Sequence, residues 1–416
     1  MRISLKIAHL AVLGSFWRGR ALLGLSSLAL LGCQPTTKAG PHTFTAGWNY
    51  SLRLGADGTL WAAGDNRYGI LAPDTALTQR PTWAQVGHET DWVQVSAKGY
   101  HALALSASGQ LFAWGANGNG ELGPGVPVDY YANRPYAQLV RVPGRYAQAI
   151  AGISYSLALS TEGHLYAWGS NYDGVLGPSG PPPVQRSYEQ PGNGPETRST
   201  LVRVPGRWAH VAAGARHVLA LTPDGRLFAW GSNSRGQLGP GVPIDSLPHP
   251  QPVPVPGHYS QVAAGADFSL ALTPDGQLYA WGDNTYGQLA TTTNSFRATQ
   301  QLHPLPLPTP RIIPGRWAQV AAGNDFVLAL RPDGQLWAWG SNSKGELGRA
   351  PNEDSPVAAP LPGRYTQLST GGKHCLALGT DGRLYAWGQN DYGELGNDTP
   401  GDYFNDAPHP VPTATP

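Results

Sequence analysis

Short apolar runs of five to eight residues, each bounded by Gly, Pro, Asn or Asp, recur along most of the chain. One stretch reads Arg207-Trp-Ala-His-Val-Ala-Ala-Gly214, then His217-Val-Leu-Ala-Leu-Thr-Pro-Asp-Gly225, then Arg226-Leu-Phe-Ala-Trp-Gly231. Runs of this length and composition predict short antiparallel strands, and no segment sustains the 3.6-residue period of a helix. Pro223-Asp224-Gly225 marks a tight turn between two of them, echoed at Asp57-Gly58, Asp275-Gly276, Asp333-Gly334 and Asp381-Gly382 and loosened to Ser108-Gly109 and Glu162-Gly163. These acidic residues therefore need no catalytic explanation.

The pattern repeats with a fixed frame. From Thr90, Gly144, Gly206, Gly257, Gly315 and Gly363 the distance to Gly123, Gly177, Gly239, Ala290, Gly348 and Gly396 is 33 residues in every case. The stretches between blocks vary, running 21, 29, 18, 25 and 15 residues from Gly123 onward. Ala39 to Ala72 fits the same frame, which makes seven repeats. Self-similar units of this period stack on their neighbours and do not form independent domains.

Within a unit, the small residues of Val-Ala-Ala-Gly suit the crowded centre of a ring. The Pro-containing pieces, such as Pro252 to Pro256 and Thr309 to Pro314, suit an outer edge because Pro cannot donate to a ladder. The expected fold is all-β: a seven-bladed β-propeller of four-stranded antiparallel blades over residues 41–416. Six Pro-rich outer strands lie between repeats and Pro408 to Pro412 supplies the seventh, so each blade is expected from contiguous chain, without an exchanged strand.

Composition fits this reading. The 54 Gly and 39 Pro fall at repeat positions, as turn residues do. With 28 basic against 27 acidic side chains there is no concentrated basic footprint, so nucleic acid is not an expected partner. The N-terminus is different. Lys6, Arg18 and Arg20 precede an apolar run, Ala21 to Gly32, too short at 12 residues to span a bilayer. It ends in Leu30-Leu31-Gly32-Cys33, which resembles the bacterial lipobox and implies cleavage before Cys33 and lipidation of its sulfur. Residues 1–32 are then a signal peptide and 33–40 a lipidated tether. The expected location is the bacterial cell envelope, at the outer membrane or cell surface, with secretion as the alternative. Only Cys33 and Cys375 exist, so no disulfide framework is available.

Three motifs carry a family resemblance: Ala213 to Leu221 (Ala-Gly-x-x-His-x-Leu-Ala-Leu), Leu-Tyr-Ala-Trp-Gly at Leu165, Leu278 and Leu384, and Asn-x-x-Gly-x-Leu-Gly at Asn233, Asn342 and Asn390. Together they resemble the regulator of chromosome condensation repeats, which implies a seven-bladed propeller. The strand-opening His101, His217 and His374 are Tyr50, Tyr155, Phe268 and Phe326 elsewhere, which points to packing in place of metal binding. The Trp of Ala-Trp-Gly is expected to fill the seam between blades. It is Ala63 in the first repeat, with Trp61 as the expected compensation.

In an up-and-down blade the first-to-second and third-to-fourth strand connections leave from one face. That face holds every variable insertion, and loops on a rigid scaffold are where recognition concentrates. Its aromatic and arginine side chains are the candidate partner-binding residues: Tyr130, Tyr131, Arg134 and Tyr136; Arg186 and Tyr188; Phe296 and Arg297; Tyr403 and Phe404. Nearer the axis stand Trp48, Lys98, Tyr100, Arg216, Asp267, Asp325 and Lys373. The opposite face carries the Asp-Gly turns and the Pro-Gly-Arg corners at Arg145, Arg207, Arg316 and Arg364. No Gly-x-Ser-x-Gly, His-Glu-x-x-His or P-loop is present, so no catalytic residue, metal or cofactor is expected. The function expected is a monomeric, non-enzymatic binding or scaffold protein that recognises a protein or extended glycan. The resemblance offers as alternatives a guanine-nucleotide exchange regulator or an enzyme inhibitor. A photosensing branch of the family uses a Gly-Trp-Arg-His-Thr cluster, of which only Gly47-Trp48 is present, so photoreception is not expected.

Overall fold

The computed structural model describes residues 43–71, 77–128, 136–181, 197–291, 305–351, 354–397 and 409–414. The chain divides into two units, Met1–Lys38 and Ala39–Pro416. The first, with Cys33, lies outside the described residues. In the second, the apolar runs form strands and the Gly and Asn clusters form turns, as their composition dictates.

The first repeat gives β1 (Phe44–Ala46), β2 (Tyr50–Leu54), β3 (Leu60–Asp65) and β4 (Gln79–Val86). The second gives β5 (Trp92–Ala97), β6 (His101–Ser106), β7 (Leu111–Gly115) and β8 (Tyr136–Val142). The third gives β9 (Tyr146–Ala151), β10 (Tyr155–Ser160), β11 (Leu165–Ser170) and β12 (Thr197–Val204). The fourth gives β13 (His210–Ala213), β14 (His217–Leu221), β15 (Arg226–Ser232) and β16 (Pro248–His258). The fifth gives β17 (Gln261–Ala264), β18 (Phe268–Leu272), β19 (Leu278–Gly282) and β20 (Leu307–Ile313). The remaining strands are β21 (Gln319–Ala322), β22 (Phe326–Leu330), β23 (Gln335–Gly340), β24 (Ser355–Thr370), β25 (His374–Gly379), β26 (Leu384–Gly388) and β27 (His409–Ala414).

Strands pair with their sequence neighbours in antiparallel fashion throughout, so this part of the chain is an all-β propeller built from contiguous four-stranded units. The sheets number six, five of four strands and one of seven, where the repeats predicted seven separate blades. The cause is β24, 16 residues long, which pairs through Ser355 to Arg364 with β23 and through Tyr365 to Thr370 with β25. The link between the sixth and seventh repeats is the shortest in the chain, and it runs on as strand without a break. Strand β27 pairs with β26 and β1 to β4 form a sheet of their own, so among the described residues no strand is exchanged between the ends of the chain, whose β-pairing is limited to an isolated bridge of Thr82 with Asn397. The innermost strands touch in a closed cycle: β1, β5, β9, β13, β17, β21, the second half of β24, and β1 again.

The motif residues account for the packing between repeats. Trp114, Trp168, Trp230, Trp281, Trp339 and Trp387 are fully buried, and each indole N–H donates across a seam to a carbonyl of the preceding repeat. The acceptors (Ile70, Glu121, Val175, Gln237, Gln288, Glu346) are the residues before Leu in Asn-x-x-Gly-x-Leu. The Asn side chain fixes that turn by accepting the Leu N–H, as at Asn233 (2.9 Å) and Asn342 (3.0 Å). Trp61 does not stand in for the missing seam Trp. It occupies the position of Phe112, Tyr166 and Phe228, nearer the opposite end of its strand, and donates to Thr59 of its own repeat (2.8 Å). The corresponding Glu394 carbonyl accepts from Ser51 at 2.6 Å, the same bond that Ser156 and Ser269 make to Glu121 O (2.9 Å) and Gln237 O (2.8 Å) beside their seam Trp, and no indole joins it there.

The histidines are buried and held neutral, with pKa values pushed down to about 3 chiefly by desolvation. Each shares a hydrogen bond through Nε2 with a serine of the next repeat: His101 with Ser156 (2.8 Å), His217 with Ser269 (2.9 Å) and His374 with Ser51 (3.0 Å). Cys375 is buried beside the Glu346 carbonyl (3.4 Å) and its thiol pKa is raised by desolvation, the opposite of a reactive thiolate.

Candidate functional site

The first-to-second strand loops surround the axis at one end of the ring, bound to one another through backbone. Gly372 N–H donates to Gly47 O, Trp48 to Gly99 O, Gly99 to Gly152 O, and Ala266 to Asn324 O. Each loop also fixes the start of its own third-to-fourth connection, as Asp65 N–H donates to Asn49 O and Ala116 N–H to Tyr100 O. Both kinds of loop therefore share one face, as the topology predicted.

On that face Trp48, Tyr68 and Tyr100 form a half-exposed aromatic platform. The Trp48 and Tyr100 ring centroids are 6.0 Å apart, and those of Tyr68 and Tyr100 are 4.4 Å apart. Burial raises the Tyr100 phenol, with Tyr68 and Asp65 adding to the effect. Beside it, Arg67 pairs with Asp65 at 2.6 Å and lies 4.6 Å from the Tyr392 ring centroid, a cation–π distance. Part of the face is thus assembled from the first, second and seventh repeats, far apart in sequence.

The fourth to seventh repeats supply charge. Arg216 donates to both oxygens of Asp267 at 2.9 Å, and Gln237 adds a bond at 3.0 Å. Asp325 is recessed, and desolvation first, then Asp283 and Asp267, push its carboxyl pKa up to about 7. Lys373 opposes that shift while donating to Ser343 Oγ (3.2 Å). Lys98 behaves differently: its Nζ donates to Ala213 O at 2.6 Å and Ala264 O at 2.7 Å.

Of the residues singled out from sequence, Trp48 and Tyr100 meet, and Arg216 is committed to Asp267. Tyr136 stands apart, at the start of β8, its hydroxyl bonded to Pro127 O (3.1 Å). Tyr130, Tyr131, Arg134, Arg186, Tyr188, Phe296, Arg297, Tyr403 and Phe404 lie outside the described residues. Sequence reasoning missed Arg67, Tyr68 and Tyr392. They occupy the two variable positions inside Asn-x-x-Gly, and the signal was available: variable residues in a fixed turn on the variable face.

The opposite face is self-satisfied. Arg145, Arg207 and Arg316 donate to Ser108 O (3.1 Å), Glu162 O (2.6 Å) and Asp275 O (2.7 Å), capping the Asp-Gly type turns. Arg364 bonds Gln335 and Gly363 O and lies 3.6 Å from Asp333. Among the described residues, no group of three or more His, Cys, Asp or Glu is placed to hold a metal ion. Nor is any helix there long and apolar enough to cross a membrane.

A radial array of repeated sheets with this loop geometry defines a β-propeller of the RCC1 type. The sequence profile of the RCC1-like domain matches residues 78–415, and the chain belongs to that family. It is 30% identical over 327 residues to the ultraviolet-B receptor UVR8 of Arabidopsis thaliana, covering 75% of this chain and 68% of the receptor. It is 31% identical to the mitochondrial RCC1 domain-containing protein RUG3 of the same plant, covering 71% of this chain and 64% of RUG3. The human E3 ubiquitin-protein ligase HERC2 matches at 30% identity, and there the alignment spans only 6% of the ligase. Among solved structures, Prp20p of Saccharomyces cerevisiae superposes with a TM-score of 0.71 at 22% identity over 88% of this chain and 87% of that one. Yeast RCC1 (Prp20) bound to Kap60 gives 0.72 at 20% identity, over 96% and 91%. At these identities the superpositions speak to the fold alone.

Proposed function

We propose that this protein is a non-enzymatic binding propeller, held to the bacterial envelope by a lipid on Cys33, that recognises a protein through its loop face. The contrast between the two faces carries the reading. The turn face spends its arginines on its own backbone, whereas the loop face presents a half-exposed platform of Trp48, Tyr68 and Tyr100 beside Arg67, residue types favoured as interface anchors. Relatives of this fold offer a precedent in kind: Prp20p has been described for its binding to Gsp1p and histones, and yeast RCC1 has been captured with Kap60. We further read the two halves of the seven-stranded sheet as two blades, because β24 changes partner at Tyr365 and its second half joins the inner cycle.

The anchor is tested by Cys33→Ser, expected to abolish lipid labelling and envelope association. An unlabelled wild-type chain would remove the anchor from the proposal. With a partner recovered from envelope extracts by the wild-type chain, Trp48→Ala and Tyr100→Ala should each weaken binding by about 2 kcal/mol, roughly 30-fold. Alanine at Arg145, Arg207, Arg316 or Arg364 should leave affinity nearly unchanged, and loss confined to that set would move the site to the other face.

A further inference from the structure

In six repeats the residue that follows the innermost strand is glycine, at Gly47, Gly152, Gly214, Gly265, Gly323 and Gly371; in the second it is Lys98. At each of these glycines a Cβ would stand within 3 Å of the ring that opens the next strand, such as Tyr50, Phe268 or His374. The repeat therefore favours glycine here, and one copy departs from it. Lys98 reaches carbonyls of the fourth and fifth repeats, at the ends of β13 and β17, passing over the adjacent third. In the closed cycle of inner strands the fourth lies two places and the fifth three places from the second, so the fifth is on the far side of the axis. The side chain thus spans the axial mouth. The residues after Lys98 build the platform: Gly99 O accepts the Trp48 N–H, Gly99 N–H donates to Gly152 O, and the Tyr100 ring meets Trp48 and Tyr68.

We propose that Lys98 is a positioning residue, a strap across the axial mouth that holds Gly99-Tyr100, and through Gly99 the backbone of Trp48, in the arrangement the loop face needs, and that the strap responds to protonation. The inference rests on reading that face as the binding surface. A neutral amine has two N–H donors, which the two carbonyls take up; the third proton of an ammonium finds no acceptor among the described residues. Burial lowers the amine to about pH 7, and no carboxylate offsets it. The titratable group facing it is His217, itself neutral, with its pKa lowered by burial and then by Lys98 and Arg216. Because the folded pKa lies below that of an unfolded lysine, the charged strap costs stability below about pH 7. That cost is relieved as pH rises from there toward the ordinary lysine range.

The test is amide hydrogen exchange on the full chain without any partner, at about pH 6 and about pH 9, each rate expressed as protection. Wild type, Lys98→Met, Lys98→Gly and Lys98→Arg would be compared. Met and Gly should each raise exchange about tenfold in 47–50 and 98–101 and leave 324–326 unaffected. Wild type should gain protection in those segments between the two pH values. Arg, which stays charged, should show no such gain. Lys98→Gly restores the residue of the other repeats, so it keeps the comparison available should the Met variant fail to fold. Exchange within about twofold of wild type in both variants, or a wild-type protection indifferent to pH, would overturn the strap. Either result would leave the binding reading intact, since no partner is present. Unchanged affinity in Trp48→Ala and Tyr100→Ala would remove the binding reading without touching the strap.

Discussion

Six contacts between successive repeats carry a buried indole, whereas the contact where the last repeat meets the first carries only a serine hydroxyl of the kind that two of the six have in addition. In the six, a buried Trp fills the space and its N–H reaches the carbonyl of the preceding repeat's turn, as Trp230 does to Val175 O at 2.9 Å. At the closing seam Ala63 leaves no such donor. Ser51 Oγ serves both the Glu394 carbonyl (2.6 Å) and His374 Nε2 (3.0 Å). Ala46 N–H donates to Ser369 Oγ (3.1 Å), and an isolated bridge joins Thr82 to Asn397. The closing contact thus keeps the hydrogen bonds of its counterparts at Ser156 and Ser269 and lacks the area of an indole. It lies next to the aromatic platform.

The comparison breaks most sharply at an indole. Trp230→Ala is expected to destabilise by about 3–5 kcal/mol, the range for emptying a buried aromatic site, read as a lowered denaturation midpoint. A loss below about 1 kcal/mol would mean that the seams do not depend on their Trp. Ser51→Ala should cost about 2–3 kcal/mol despite its small volume, because it strands a buried carbonyl and a buried imidazole. Hydrogen exchange should then rise in β1, β2 and β25 and not at the seam of Trp230.

Glu394 sharpens the contrast through pH. Its side chain accepts the Tyr392 N–H at 2.8 Å, as Gln237 accepts that of Arg235 and Gln288 that of Tyr286, while its Oε1 is buried without a partner. Desolvation raises its pKa to about 8, so the protonated acid behaves as the glutamines do. A folded pKa above the unfolded value gives stability that is full below about pH 4.5 and lost as pH rises through about 8. Glu394→Gln should therefore stabilise by about 1–2 kcal/mol near pH 8.5 and change little near pH 5. An equal effect at both pH values would show that the carboxyl is not held protonated. The smallest effect concerns the turn that serves Trp339. Ala290, at the place of Gly123, Gly177 and Gly239, is the non-glycine residue with positive φ (52°) among those described. Ala290→Gly should gain about 1 kcal/mol by removing that strain, visible as a small rise in melting temperature.

Much of this was legible before any coordinates. The 33-residue frame located the strands, Asp-Gly and Asn-x-x-Gly marked the turns, and up-and-down connectivity assigned the faces. Two expectations failed for reasons a linear pattern cannot contain. Trp61 looked like compensation for Ala63, but two residues along a strand is a displacement of roughly 6–7 Å, which carries the ring toward the wrong end of the seam. Seven separate blades became six sheets because strand continuity depends on the hydrogen bonding of the link, and β24 has backbone partners along its length.

The sequence by itself determined the all-β class, the four-stranded antiparallel unit and the split into a monotonous and a variable face. These follow from local chemistry: which residues tolerate positive φ, which can donate to a ladder, and which break an apolar run into short strands. Only the tertiary structure decided that Trp48, Tyr68 and Tyr100 share a platform with Tyr392 nearby, that Ser51 meets the Glu394 carbonyl with no indole beside it, and that Lys98 reaches the fourth and fifth repeats. Closing a ring brings residues more than 300 positions apart into contact, as Ser51 and His374 show at a separation of 323. No period within the chain encodes which side chains will meet there.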